Sequence, residues 1–166
     1  LSKSHRITGF RVGWICLSGD KSKAKNYIEG LDVLASMRLC SNVPSQQIIA
    51  TALQNFHDAD SLISPGGRMY EQREFIYRAI NDIPGLSAVK PEAAFYIFPR
   101  IDVRKFNIRD DERFIIDFLR AKHILMVNGR GFNWSEPDHF RIVYLQQVED
   151  LKIVAESLRT FLQDYR

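Results

Sequence analysis

Apolar residues recur at three- and four-residue intervals in five stretches of the chain, and each stretch predicts a helix with one buried face. In the first, residues 21–37, the positions are Ala24, Tyr27, Ile28, Leu31, Leu34 and Ala35. Ser41-Asn42-Val43-Pro44 interrupts, and Ser45 is placed to cap a second helix over about 45–56 with Ile48, Ile49, Ala52 and Leu53 inward. Behind the SPGGR break at 64–68, Met69, Phe75, Ile76, Ala79 and Ile80 fit a long helix that stops near Asn81-Asp82, just before Pro84-Gly85. Asp110 or Asp111 caps a fourth helix whose stripe is Phe114, Ile115, Phe118 and Leu119. The fifth, about 148–164, turns Leu151, Val154, Ala155, Leu158 and Phe161 inward.

Between the helices the pattern changes to short β-type runs. These are RVGWICL at 11–17, the runs 86–89 and 93–99, residues 124–127, and FRIVYL at 140–145. The second half of 93–99, AFYIF, is an almost continuous apolar strand. From residue 66 on, the order is helix, strands, helix, strand, strand, helix. That order predicts an α+β layer in which helices pack on a small, mainly antiparallel sheet. The SPGGR break reads as a hinge between two domains, 1–65 and 66–166. There is no internal repeat and no low-complexity segment.

Composition narrows the class. With 166 residues, 45% hydrophobic and 26% charged, the chain has enough apolar material to bury a core and is neither a disordered tail nor a membrane span. No apolar run approaches the roughly 20 residues a spanning helix needs. The net charge of +3 arises from 23 basic and 20 acidic residues mixed along the chain, which gives no grounds for a nucleic-acid partner. Cys16 and Cys40 have no CxxC spacing and are read as two buried thiols in a reducing, cytoplasmic setting. His5, His57, His123 and His139 form neither HxxxH nor HExxH, so no metal site is expected. The first residue is Leu, which suggests a piece of something longer.

Two basic residues carry candidate chemistry at the start of the chain: Lys3 and Arg11, in the pattern S-K-x5-G-x-R-x-G made by Ser2, Lys3, Gly9, Arg11 and Gly13. A lysine amine can bond covalently to an aldehyde and carry a proton. An arginine offers a planar, permanently charged fork that matches phosphate oxygens. Far along the chain, GFNWSEPDHFRIVYL puts Arg141 in a strand beside the apolar Phe140, Ile142 and Val143. A cation there must leave the apolar face or find an anionic partner, and an Asp or Glu of its own domain is the plain choice. GRG at 129–131 is only a glycine-bearing loop, and Tyr70 and Arg73 are ordinary helix residues.

The Lys3 motif resembles the cofactor-lysine motif of the fold-type I aminotransferases that depend on pyridoxal phosphate. The DHFRI run resembles the segment in which that family carries its substrate-carboxylate arginine. SNVPSQQ, SPGGRMYEQR and PEAAFYIFPR extend the similarity over essentially the whole chain. It is most like the bacterial branch that exchanges amino groups between glutamate and pyruvate. There are two departures: Ala93 stands where many relatives have glycine, and Gln146-Gln147 replaces the more usual Pro-Arg.

The resemblance implies that 1–65 is a remnant of the large α/β cofactor-binding domain and 66–166 is the small C-terminal domain. It implies Lys3 as the catalytic, cofactor-bonding lysine, Arg11 as a phosphate ligand, Arg141 as the clamp on the α-carboxylate, and Asn133, beside Trp134, at the substrate. Small amino acids and 2-oxo acids are the implied substrates and a homodimer the implied assembly. The family's remaining cofactor ligands precede the lysine, so the segment alone is expected to be inactive. A lyase or decarboxylase of the same fold, or a non-catalytic dimerisation module, remains open.

Overall fold

The computed structural model describes residues 1–165. The chain divides into two compact units, Leu1–Asp60 and Ser61–Arg166.

In the first unit a 3-10 turn at Ser22–Ala24 leads into α1 (Lys25–Arg38), followed by α2 (Val43–Gln46) and α3 (Ile48–Gln54). Asp20 starts the first of these by accepting hydrogen bonds from the Ser22 amide and hydroxyl at 2.9 and 3.0 Å. The cap before α2 is Asn42, not Ser45: its side chain accepts from the Ser45 amide, and the helix begins earlier because Pro44 is tolerated in a first turn that has no amide to satisfy. Three sequence-based expectations fail in this unit for one reason, the exposure of its apolar positions. The strand at 11–17 does not form, because no described residue pairs with it, and Trp14 and Ile15 are exposed. Helix α1 forms at the expected place, but it has no buried residue, and Tyr27, Leu34 and Met37 are exposed. Cys16 and Cys40, expected to be buried, are both exposed free thiols.

After the single turn α4 (Asp60–Ile63), the second unit contains α5 (Arg68–Asn81), β1 (Leu86–Ser87), β2 (Tyr96–Ile97), β3 (Arg100–Ile101), α6 (Asp111–Lys122), β4 (Val127–Asn128), β5 (Phe140–Val143) and α7 (Val148–Asp164). The SPGGR break is a tight turn. Ser64 O accepts from the Gly67 amide at 2.8 Å, with Pro65 and a positive-φ Gly66 in the two central positions, the pattern of a type II turn. Gly67 then starts α5 where a Cβ would collide with the Ser61 and Leu62 carbonyls, so no larger residue fits.

Every strand pair is antiparallel. β1 pairs with β3, and β5 lies between β2 and β4. The strands are shorter than the apolar runs that predict them; AFYIF contributes only Tyr96 and Ile97 to the ladder. Asn81 joins the end of α5 to the chain beyond β1, donating to Tyr77 O and Ala88 O and accepting from the Ala88 amide. Asp110 caps α6 through the Glu112 and Arg113 amides, and Leu119, expected inward on that helix, is exposed.

Ile76 and Ile80 of α5, Phe114 and Phe118 of α6, Leu151 and Leu158 of α7, and Phe140 and Ile142 of β5 close one core. In α7 the buried positions are Leu151, Ala155, Leu158 and Leu162. Glu74, buried on α5, sits 2.6 Å from Lys90 Nζ and 3.1 Å from an Arg73 nitrogen, and these partners, Lys90 first, hold its carboxyl below the usual range against the opposing effect of desolvation. No described helix is long and apolar enough to cross a membrane.

Phe118 is fully buried against the ring of Phe161. Phe118→Ala is expected to lower unfolding free energy by about 3–5 kcal/mol. Ile153→Ala, on the exposed side of α7, is expected to change it by less than about 0.5 kcal/mol. Urea denaturation followed by tryptophan fluorescence checks both.

Candidate functional site

Strand β5 alternates buried and half-buried residues. Phe140 and Ile142 enter the core, so the strand's two-residue period turns Arg141 to the opposite face of the sheet. Val127 is its cross-strand partner on β4, and Tyr96 lies on the same face, paired with Val143.

The Arg141 guanidinium carbon is 4.6 Å from the centre of the Tyr96 ring and 4.3 Å from that of Phe132, so two π faces hold the cation. Its Nε is buried and has no hydrogen-bond partner among the described residues. No carboxylate among the described residues pairs with it, so the ion pair within its own domain that the sequence suggested is not made. A half-buried planar cation with one uncommitted edge suits an incoming carboxylate, which can accept two parallel hydrogen bonds from it.

Phe132 is delivered by the segment that sequence reasoning treats as a bare glycine loop. Gly129–Phe132 is a 3-10 turn ended by a left-handed Asn133 (φ 59°). The Gly129 amide donates to His139 O at 2.9 Å, and a Cβ on Gly129 would lie 2.7 Å from that oxygen, so only glycine permits the approach. Asn133 is exposed at the end of this turn.

Trp134 is exposed on one side and held on the other. Its indole nitrogen donates to Asp138 Oδ1 at 2.8 Å, and its ring lies against His139 and Phe98. Asp138 also receives His139 Nδ1 at 2.7 Å and Arg100 Nε at 2.9 Å. Burial by itself raises the pKa of the Asp138 carboxyl, but the donors from His139, Trp134 and Arg100 outweigh it and hold the group below its ordinary value of 3.8.

In the first unit, Lys3 is exposed. Arg11 ends the short 3-10 turn Thr8–Phe10 in a left-handed conformation (φ 51°, ψ 46°). One guanidinium nitrogen donates to Thr8 O at 2.7 Å. An exposed primary amine and an exposed guanidinium on one short segment fit a ligand that presents a carbonyl at one end and an anion at the other. Of the four candidate residues, Arg141 and Asn133 belong to one unit, and Lys3 and Arg11 to the other.

The profile of the family described as aminotransferase class I and II matches residues 1–158. The chain belongs to this family. It is 54% identical over 166 residues to a protein named glutamate-pyruvate aminotransferase AlaA from Haemophilus influenzae, and 46% identical to one named alanine aminotransferase from Mycobacterium tuberculosis. In both cases all of the chain is covered, but only 41% and 39% of the relative. Among solved structures, an Escherichia coli aminotransferase superposes with a TM-score of 0.89 at 52% identity, covering 99% of this chain and 41% of that one. An alanine aminotransferase from Pyrococcus furiosus gives 0.80 at 34% identity, covering 98% and 40%. The chain thus spans about two fifths of the length of these aminotransferases.

Sequence reasoning selected Arg141 but missed Tyr96, Phe132 and Asp138. Tyr96 carried a signal, since it alternates with the core residue Ile97 and so shares the face that Arg141 must take. Phe132 carried none, because only the fold of the 129–132 turn brings its ring to the arginine.

The depressed pKa of Asp138 makes a pH prediction. A carboxyl whose pKa is lower folded than unfolded stabilises the fold above its unfolded value, and that contribution is lost as pH falls through the folded value. Stability is therefore expected to fall on acidification below about pH 4. The slope is expected to be shallower in Asp138→Asn, checked by urea unfolding at a series of pH values.

Proposed function

We propose that this chain is part of a pyridoxal-phosphate-dependent aminotransferase that moves an amino group between alanine or glutamate and a 2-oxo acid, pyruvate or 2-oxoglutarate. The observation that carries the proposal is the Arg141 guanidinium, gripped by Tyr96 and Phe132 and lacking a carboxylate partner among the described residues. The names of the relatives support the choice of substrates.

Pyridoxal phosphate, when bound, supplies an aldehyde for a covalent bond with an amine and a ring that accepts electrons. Lys3 would hold the group through its Nζ, and the same nitrogen would hold and return a proton. Arg11 would hold the phosphate through its exposed guanidinium, which its hydrogen bond to Thr8 O orients. Arg141 takes the substrate α-carboxylate along its free edge and so fixes how the Cα substituents are presented, an orientational contribution more than one of charge. The rings of Tyr96 and Phe132, 4.6 and 4.3 Å from the guanidinium carbon, displace water from around it, which strengthens its pull on a carboxylate. Asn133 offers its exposed side-chain amide beside the same turn as a further hydrogen-bond donor to substrate.

The apolar positions of α1 that lie exposed, Tyr27, Leu34 and Met37, need covering by further protein surface. A second copy of the protein is the partner we assign, giving a homodimer, and the aqueous cytoplasm is the compartment.

Borohydride reduction of the full-length protein with pyridoxal phosphate, followed by peptide mass mapping, is expected to find the label on Lys3; a label elsewhere, or none, overturns the assignment. Glutamate and pyruvate together are expected to yield 2-oxoglutarate and alanine, whereas a same-fold lyase or decarboxylase would release ammonia or carbon dioxide. Arg141→Lys keeps the charge but loses the bidentate fork, and kcat/KM is expected to fall by roughly a hundredfold.

A further inference from the structure

We propose that Asp111 is a positioning residue for Arg141: by holding Arg130 it fixes the turn that lays Phe132 on the guanidinium. The inference deepens the reading of Arg141 as the carboxylate-binding arginine and rests on it.

Asp111 is the first residue of α6 and only 2% exposed. Its neighbour Asp110 already satisfies the amides that open the helix, so capping gives no reason to bury a second carboxylate there. Its partner is instead the 129–132 turn. Asp111 Oδ2 accepts the Arg130 amide at 2.9 Å. Oδ1 lies 3.4 Å from Arg130 Nε, an ion-pair contact without hydrogen-bond geometry.

The turn is consequently tied at two successive residues to two different elements. Gly129 is bonded to the chain entering β5 through His139 O, and Arg130 to α6 through Asp111. Neither tie touches Arg141. Both decide where Phe132, two residues further on, can place its ring, 4.3 Å from the guanidinium carbon.

With Tyr96 fixed in β2, Phe132 on the 129–132 turn is the movable half of the clamp. When it is seated, the guanidinium has lost most of its orientational freedom before a carboxylate arrives, so binding does not have to supply that ordering. When it is unseated, the arginine keeps its charge but not its direction. The carboxylate contact is already made when substrate binds, so an unseated Phe132 raises both the Kd for a carboxylate ligand and KM.

The test uses the full-length protein with 15N-labelled arginine. In the unaltered protein the Arg141 Nε–H resonance is expected to be displaced by the ring currents of Phe132 and Tyr96. In Asp111→Ala it is expected to move toward the free-arginine position, with the Kd for pyruvate and the KM both raised about tenfold. Asp111→Asn retains an oxygen that can accept the Arg130 amide and is expected to restore most of the displacement and the affinity. An unmoved resonance with unchanged pyruvate binding in Asp111→Ala overturns the proposal. If Asp111→Ala does not fold, Phe132→Ala replaces it, because that side chain is 43% exposed and its loss opens no core cavity. Weakened binding there, together with rescue in Asp111→Asn, supports the proposal, and unchanged binding overturns it. Arg141→Lys separates the two levels: pyruvate binding as tight as in the unaltered protein removes the reading of Arg141 itself, whereas weakened binding there with no effect of Asp111→Ala removes only the role of Asp111.

Discussion

A guanidinium held against two aromatic rings, with no carboxylate beside it among the described residues, is the constraint around which the second unit is arranged. At 4 Å and an effective dielectric near 20, a carboxylate would interact with such a cation by about 4 kcal/mol, so any acidic side chain within reach would take the site. Three buried acids of the unit are each engaged with other partners. Asp138 faces Trp134, His139 and Arg100, and Asp111 faces Arg130. Glu74 is engaged by Lys90 and Arg73 on another part of the unit. What remains around Arg141 is aromatic, and π faces steady a cation without neutralising it.

The core makes this possible by supplying a rigid strand. Phe140 and Ile142 are packed among α6 and α7 side chains, which locks the register of β5. A slip of one residue would send Arg141 into the core and the core residues outward, so burial of the two apolar neighbours sets the direction of the cation. The Gly129 contact with His139 O and the left-handed Asn133 then shape the turn that covers it.

The first unit shows the opposite balance. Its helices form where local periodicity and capping place them, yet Trp14, Ile15, Tyr27, Leu34 and Met37 remain exposed. Local signals are sufficient for a helix, whereas burial of its stripe requires an opposing surface. The same need explains why 11–17 has strand composition and no strand: β structure is a relation between two segments, and the second segment is not among the described residues.

Sequence alone determined the things that depend on near neighbours. The span of α7, a cap at Asp110 or Asp111, the stop of α5 near Asn81 and the family membership through the Lys3 and DHFRI motifs were legible because each is written within a few consecutive residues. It also limited Arg141 to two fates, an anionic partner or the open face of its sheet. Only the tertiary structure decided between them, because the choice rests on Tyr96 and Phe132, far from Arg141 or across a turn from it, and on Asp111 and Asp138 being committed to other partners. Side-chain distance across a fold has no periodicity along the chain, so no pattern of hydrophobic and polar positions encodes it.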